Sequence, residues 1–372
     1  MADVLLDKSL LETDPSVIRV GFSRPDGDRL LCTLCPRACR LRDGQRGLCY
    51  VRGRIGDSMV LTTYGRSSGF CVDPIEKKPL NHFLPGTSVF SFGTAGCNLA
   101  CSFCQNWSIS KSRQDDTLAD AATPEAIAEA AVRAGCRSVA FTYNDPVIFF
   151  EYARDVAIAC RARGLKTVAV SAGYITDEAR SEFFRYFDAA NIDLKAFTEE
   201  FYQKECGGHL QPVLDTLEFL GKQTNVWTEV TTLLIPGLND GDEEIQRLST
   251  WMLEHMGPET PLHFTAFHPD FKQLTRDPTP GETLQRARTI ARDVGLLHVY
   301  TGNVHDPAGA STYCPHCHSQ VIARDWFEIS KFDLHDGLCT HCGRRLAGVF
   351  ENQPGKWGRR RMPVSIARKS AI

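Results

Sequence analysis

Between residues 86 and 305 the chain alternates short apolar, β-rich runs with longer amphipathic stretches. The runs cover residues 88–92, 138–143, 166–171, 189–194, 226–235, 262–267 and 297–300, and they predict strands. Helices are predicted between them. Thr123-Pro124-Glu125 opens one, with a capping residue followed by proline in the first turn. Others cover 147–163, 177–186, 212–222, 242–256 and 282–294, and Gly164-Leu165 closes the second as a helix stop. Repeated βα units imply a parallel sheet, and six or seven of them suit a full or partial (β/α) barrel.

The flanks break this rhythm. Residues 1–85 carry Cys32, Cys35, Cys39 and Cys49 among many Gly, Arg and Pro residues, with little helical periodicity. Residues 306–372 carry Cys314, Cys317, Cys339 and Cys342 and then a basic tail. Three parts follow: a Cys-rich metal-binding segment (1–85), a barrel (86–305), and a metal-binding ribbon with its tail (306–372).

Composition narrows the function classes. A hydrophobic content of 42% over 372 residues supports a full core, and a formal charge of −3 gives no sign of a nucleic-acid binder. No apolar run spans a bilayer, so no membrane partner is expected. The start, Met1-Ala2-Asp3-Val4-Leu5-Leu6-Asp7-Lys8, lacks a basic region followed by an apolar stretch. The 15 cysteines are odd in number and often paired as C-x2-C, which points to metal rather than disulfides and to a reducing cytoplasm.

The most specific chemistry lies in Gly96-Cys97-Asn98-Leu99-Ala100-Cys101-Ser102-Phe103-Cys104-Gln105-Asn106. Three thiolates spaced C-x3-C-x2-C hold three corners of a four-iron cube, which needs four ligands, and leave the fourth iron to something that is not protein. A zinc knuckle normally takes four ligands, and no fourth is evident nearby. The run resembles the signature of the radical S-adenosylmethionine (SAM) enzymes. The resemblance implies a partial (β/α)6-type barrel, a [4Fe-4S] cluster whose open iron binds the SAM amino and carboxylate groups, and one-electron cleavage to methionine and a 5′-deoxyadenosyl radical. An electron donor such as flavodoxin or ferredoxin is implied as well.

Barrel active sites sit at the C-terminal ends of the strands, and polar residues recur there: Tyr143-Asn144-Asp145-Pro146, Ser171-Ala172-Gly173-Tyr174, Asp193 with Lys195, His268-Pro269-Asp270 and Gly302-Asn303. This pattern is similar to that of activating enzymes for glycyl-radical enzymes such as pyruvate formate-lyase. That likeness puts Asn106 near the SAM methionyl group and Tyr143, Asn144 and Asp145 where a Gly-Gly-Glu-type motif holds the SAM amino group, although the glycines are replaced and the acid is Asp. It assigns Asp193 to the ribose hydroxyls or a monovalent cation, Lys195 to the SAM carboxylate, and His268 to the same carboxylate, with His263 as a competing alignment. The Ser171–Gly173 turn would let backbone approach the adenosine. Asp193 and Lys195 also fit an ordinary ion pair, and His268 a turn histidine. Asp193, Lys195 and His268 are the candidate catalytic residues.

Cys32-x2-Cys35-x3-Cys39-x9-Cys49 has ligands enough for a closed site, either an auxiliary iron–sulfur cluster or zinc. Cys314-Pro315-His316-Cys317 and Cys339-Thr340-His341-Cys342-Gly343 read as a zinc ribbon of four thiolates, with His316, His318 and His341 as bystanders. Cys136, Cys160 and Cys206 stand alone and read as buried small apolar residues. Cys71 is open to three readings: structural thiol, cluster ligand or reactive residue. Lys356, Arg359, Arg360, Arg361, Arg368 and Lys369 make a tail that is either solvated or steers an RNA or acidic protein.

Taken whole, the chain resembles the radical SAM member of the AmmeMemoRadiSam group. The resemblance adds Asn191-Ile192-Asp193-Leu194-Lys195, residues 262–270 and Tyr300-Thr301-Gly302-Asn303-Val304 to the cysteine motifs. It implies hydrogen abstraction from an unidentified substrate, a protein or RNA among the candidates. The alternatives are an activase acting on a glycyl-radical partner protein, and a non-catalytic metal-binding scaffold or RNA-binding module.

Overall fold

The computed structural model describes residues 5–112, 118 and 120–366. Seven strands form a parallel sheet in sequence order: β1 (Ser88–Phe92), β2 (Ser138–Phe141), β3 (Lys166–Ser171), β4 (Ala189–Asp193), β5 (Trp227–Leu234), β6 (Leu262–Ala266) and β7 (Val299–Gly302). Six helices return the chain between them: α1 (Pro124–Arg133), α2 (Phe150–Arg161), α3 (Asp177–Phe184), α4 (Gln211–Gln223), α5 (Asp242–His255) and α6 (Gly281–Val294). Neighbouring strands follow one another in the chain, as in a barrel, and β7 does not pair with β1. The result is a partial (β/α)6-type barrel with a seventh strand.

Strands buried on both faces explain the apolar runs. Residues of β1 and β2 are buried without exception, between the helices and the barrel interior. Thr123 caps α1 by accepting from the amide of Ala126, with Pro124 in the first turn. The last strand lies two residues later than its apolar run. Thr301 and Gly302 are polar or small yet pair with Phe264 and Thr265, while Leu297 is outside the ladder and exposed.

The sheet does not end at β1. Strand Phe70–Pro74 pairs antiparallel with β1 in full register, and Met362–Val364, from the basic tail, pairs with its other side. This outer ribbon lays residues from both flanks along one wall of the barrel. Further out, short antiparallel strands, among them Ser23–Asp26 with Arg29–Cys32, build the N-terminal segment. Its strand Arg52–Ile55 is tied to α2 by a fully buried pair: Arg52 Nη1 and Nη2 donate to Glu151 at 2.7 and 3.2 Å, and Nη2 also donates to the Gly21 carbonyl.

The C-terminal ribbon docks beneath the barrel through a buried polar cluster. Glu229, near the start of β5, accepts from the amides of Asn81 and His82, from Trp227 Nε1 and from His263 Nε2. Arg324 reaches the Asn81 carbonyl and Thr312. His82 Nδ1–H donates to the Ala347 carbonyl at 2.7 Å, and its Nε2 accepts from the Tyr300 hydroxyl. Burial pushes its pKa down to about 4, against the opposing pull of Glu229. A histidine held neutral in the fold and titrating near 6.5 when unfolded contributes stability above about pH 6.5 that is lost as pH falls toward 4. From pH 7.5 to 5 this histidine alone removes about 2 kcal/mol. Comparing unfolding of the native chain and His82→Gln at both pH values isolates it: the native chain loses that much more than the variant, and parallel pH profiles would refute the assignment.

Candidate functional site

The barrel mouth encloses a cavity of about 800 Å³, a size typical of small-molecule sites. The cysteine loop after β1 forms one side. Gly96, at φ +79°, has the Cys49 carbonyl so close that a β-carbon would lie 1.9 Å from it, which is why glycine stands there. Asn144, at the end of β2, clamps the same loop: its Oδ1 accepts from the Thr94 amide, and its Nδ2 donates toward Thr94 Oγ1 and the Ala95 and Gly96 carbonyls. The far side of the loop is held by a π turn, Tyr202–Cys206, whose Glu205 and Cys206 carbonyls accept from the Ser102 and Ala100 amides. Asp270 accepts from Trp107 Nε1, fastening the loop after β6 to the short helix Trp107–Ser110.

Cys97, Cys101 and Cys104 all line the cavity, with Asn106, Tyr143, Asn144, Asp145, Ser171, Asp193 and Lys195. Lys195 Nζ donates to Asp193 Oδ2 at 2.9 Å, with only 15% of the lysine side chain exposed. Burial opposes its charge, but the Asp193 carboxylate and the Cys101 thiol override it and hold the Lys195 pKa well above the ordinary value. Asp145 spends both oxygens within the fold. Oδ1 accepts from the Val147 amide, Oδ2 from the Ala172 amide, and Ser171 Oγ bridges to both. It joins the β2 and β3 loops, and burial raises its pKa.

Two candidates lie outside the cavity wall. His268 is exposed beyond β6. Gly173 turns its missing side chain toward Ile192 and Thr216, so its left-handed φ of +65° serves packing between β3, β4 and α4. His263 is in the buried cluster under the barrel, bonded to Glu229. Tyr174 is buried under Arg37, away from the cavity.

Other residues at the site carry no local sequence signal. Cys206 lies beside Cys101, and its thiol holds the Cys101 pKa below the ordinary value. Cys136 and Cys160 are the small core residues expected. On the wall formed by the outer ribbon, Asp73 accepts from Lys78 Nζ at 2.7 Å, Lys77 Nζ at 3.0 Å and the Tyr143 hydroxyl at 2.7 Å. Burial disfavours the Asp73 carboxylate, yet Lys78, Tyr143 and Lys77 keep its pKa far below the ordinary range. Tyr143 holds a positive φ of 72°, uncommon for so large a residue. The Cys71 thiol meets both Tyr143 and Arg361 there. Lys77, Lys78 and Arg361 against Asp73 make this wall cationic.

The sequence matches the radical SAM superfamily over residues 92–249, the stretch that carries the three-cysteine loop and the strands β2 to β5. The chain carries a radical SAM domain. Over 87% of its length it is 38% identical to an uncharacterised protein of Methanocaldococcus jannaschii, covering 97% of that protein. It is also similar to the 4-hydroxyphenylacetate decarboxylase activating enzyme of Clostridium scatologenes, 29% identical over 31% of this chain and 37% of that one. Among solved structures, a domain of pyruvate-formate lyase-activating enzyme from Bacteroides vulgatus matches 45% of this chain and 99% of that domain, at 18% identity and a TM-score of 0.40. The radical SAM family implies a [4Fe-4S] cluster, SAM and a reductant. The donor set fits the cluster, since three thiols face the cavity from one loop and leave a ligand position on the cavity side.

The C-terminal ribbon forms a metal site. The sulfurs of Cys314, Cys317, Cys339 and Cys342 lie within 4.8 Å of one another; Cys314–Cys342 is 3.6 Å and Cys317–Cys339 is 3.7 Å. His341 is bonded to Asp333 instead of joining them. Among the described residues, no helix is long and apolar enough to cross a membrane.

Proposed function

We propose that this protein reductively cleaves SAM and uses the resulting radical to abstract hydrogen from its substrate. The observation that carries the reading is the convergence of Cys97, Cys101, Cys104, Asp193 and Lys195, from β1 and β4, on one cavity at the C-terminal rim. When bound, the cluster supplies the single electron that splits SAM into methionine and a 5′-deoxyadenosyl radical. The chain's own residues do the rest. The three thiolates hold three irons and leave the fourth for SAM. The Lys195 ammonium pairs with the SAM carboxylate, and Asp193, oriented by Lys195, accepts from the ribose hydroxyls. Asn106 stands beside the loop for the methionyl end. Asn144 and Asp145 act through the fold, one clamping the cysteine loop and the other fixing the β2 and β3 loops that floor the cavity. The test is anaerobic: the reconstituted protein with dithionite and SAM forms 5′-deoxyadenosine. A reducible cluster that leaves SAM intact, with any substrate or partner absent, would remove the reading of an enzyme that works without a partner.

The local similarity to decarboxylase activating enzymes favours a second reading, in which the hydrogen is taken from a partner protein. A substrate hydrogen traced into deoxyadenosine from a small molecule would exclude it.

The ribbon metal in this reading is zinc. Zn–S bonds of about 2.3 Å place tetrahedral sulfurs about 3.8 Å apart, close to the two separations seen. Cys314→Ala is expected to remove one zinc per chain and leave the iron content unchanged; metal analysis checks both, and an unchanged zinc content would sink the assignment.

A further inference from the structure

The second set of four cysteines has a different geometry. Cys32, Cys35, Cys39 and Cys49 all line one small apolar cavity of about 20 Å³, walled by Leu34, Leu41 and Ile148. Cys32 and Cys39 face each other across a strand pair, where the Cys32 amide donates to the Cys39 carbonyl at 2.9 Å. Yet no three of these sulfurs are gathered within 4.8 Å of one another, as the ribbon sulfurs are. The same chain therefore holds one four-thiol set at the spacing of a single tetrahedral ion and another spread around a void.

A tetrahedral zinc draws four sulfurs to about 3.8 Å separations. A four-iron cube carries its thiolates outside an Fe4S4 core, so they stand farther apart and enclose a volume. The void also has a donor waiting. Arg52, 2% exposed and on the cavity wall, spends its terminal nitrogens on Glu151 and Gly21, while its buried Nε has no partner. Arg37 brings a second positive charge to the wall, its Nε donating to the Asn98 carbonyl at 2.7 Å and its Nη2 turned toward Gly207. Buried N–H donors are rarely left unpaired. The sulfides and thiolates of a cluster accept such bonds, and the guanidinium charges offset its negative charge.

We infer that Cys32, Cys35, Cys39 and Cys49 hold a second [4Fe-4S] cluster, with Arg52 donating to its sulfurs. It stands directly behind the loop of the first site. Arg37 reaches Asn98 within that loop, and Cys49 abuts Gly96. One redox centre is thereby packed against the backbone that carries another.

The inference does not depend on SAM cleavage, and its test leaves that activity aside. The Cys97→Ala/Cys101→Ala/Cys104→Ala chain, reconstituted anaerobically with iron, sulfide and zinc, is expected to keep about four irons and one zinc. On dithionite reduction it gives an electron paramagnetic resonance signal that added SAM does not alter. An iron-free chain carrying two zincs would overturn the inference. The reciprocal variant, Cys35→Ser/Cys39→Ser, decides the matter if the first does not fold. Iron is expected to fall from about eight to about four with one zinc retained; constant iron with zinc falling from two to one would refute the second cluster.

Discussion

Cys101→Ala abolishes 5′-deoxyadenosine formation and removes the iron of the barrel-mouth site, while the barrel remains folded. The thiol is one of three that hold the site, and two thiolates leave two corners of the cubane without a protein ligand. Its structural role is small by comparison. The loop's backbone is fixed by Asn144, by the Cys206 and Glu205 carbonyls and by Gly96 against Cys49, and none of these uses the Cys101 side chain. Circular dichroism of the variant therefore matches the native chain, while iron analysis and the cleavage assay do not. Retained cleavage with full iron at this site would disprove the ligand assignment. Cys206 lies beside Cys101 and is a thiol that could substitute for it, so Cys101→Ala/Cys206→Ala belongs in the same experiment.

Glu151→Leu destabilises the protein by about 3–5 kcal/mol, because it leaves the Arg52 guanidinium buried without its counter-charge. Arg52 and Glu151 are 2% and 7% exposed at their side chains, so solvent does little to screen the loss. The double variant Arg52→Met/Glu151→Leu recovers most of that stability, since removing both charges removes the desolvation cost with the attraction. Anaerobic unfolding of the three proteins checks it. A single variant within about 1 kcal/mol of the native chain would show that the pair does not hold the N-terminal segment to α2.

Much of the barrel was legible because parallel strands covered on both faces must be apolar along their length. The runs at 88–92 and 166–171 coincide with β1 and β3, and Thr123-Pro124 marks the start of α1. The run at 297–300 misplaced β7, because the register with β6 recruits Thr301 and Gly302, and pairing of this kind leaves no mark on hydropathy. The ribbon cysteines were legible as a ligand set, whereas the spacing of Cys32, Cys35, Cys39 and Cys49 did not state whether their sulfurs converge on an ion or surround a void.

The candidate site divides in the same way. Residues on the loop after β1 and at the end of β4 could be read locally, since a strand-end position and a ligand spacing are both properties of contiguous sequence. The contrast between His268 and His263 could not, because exposure and burial depend on what packs against each. Asn144 and Asp145 show the same limit: their types suit ligand binding, yet their side chains are taken by backbone amides and carbonyls brought from other strands.

Spacing and periodicity within short windows carry the three-thiol motif, the order of βα units and the four-thiol ribbon. What surrounds them comes from long-range packing. It put Cys206 beside Cys101, set Cys71, Lys77, Lys78 and Arg361 along the cavity wall with Asp73 buried behind them, and left Arg52 with an unpaired donor at the four-cysteine cavity. These contacts join segments from 60 to nearly 300 residues apart, through strand pairings and buried charges whose partners a local pattern does not name.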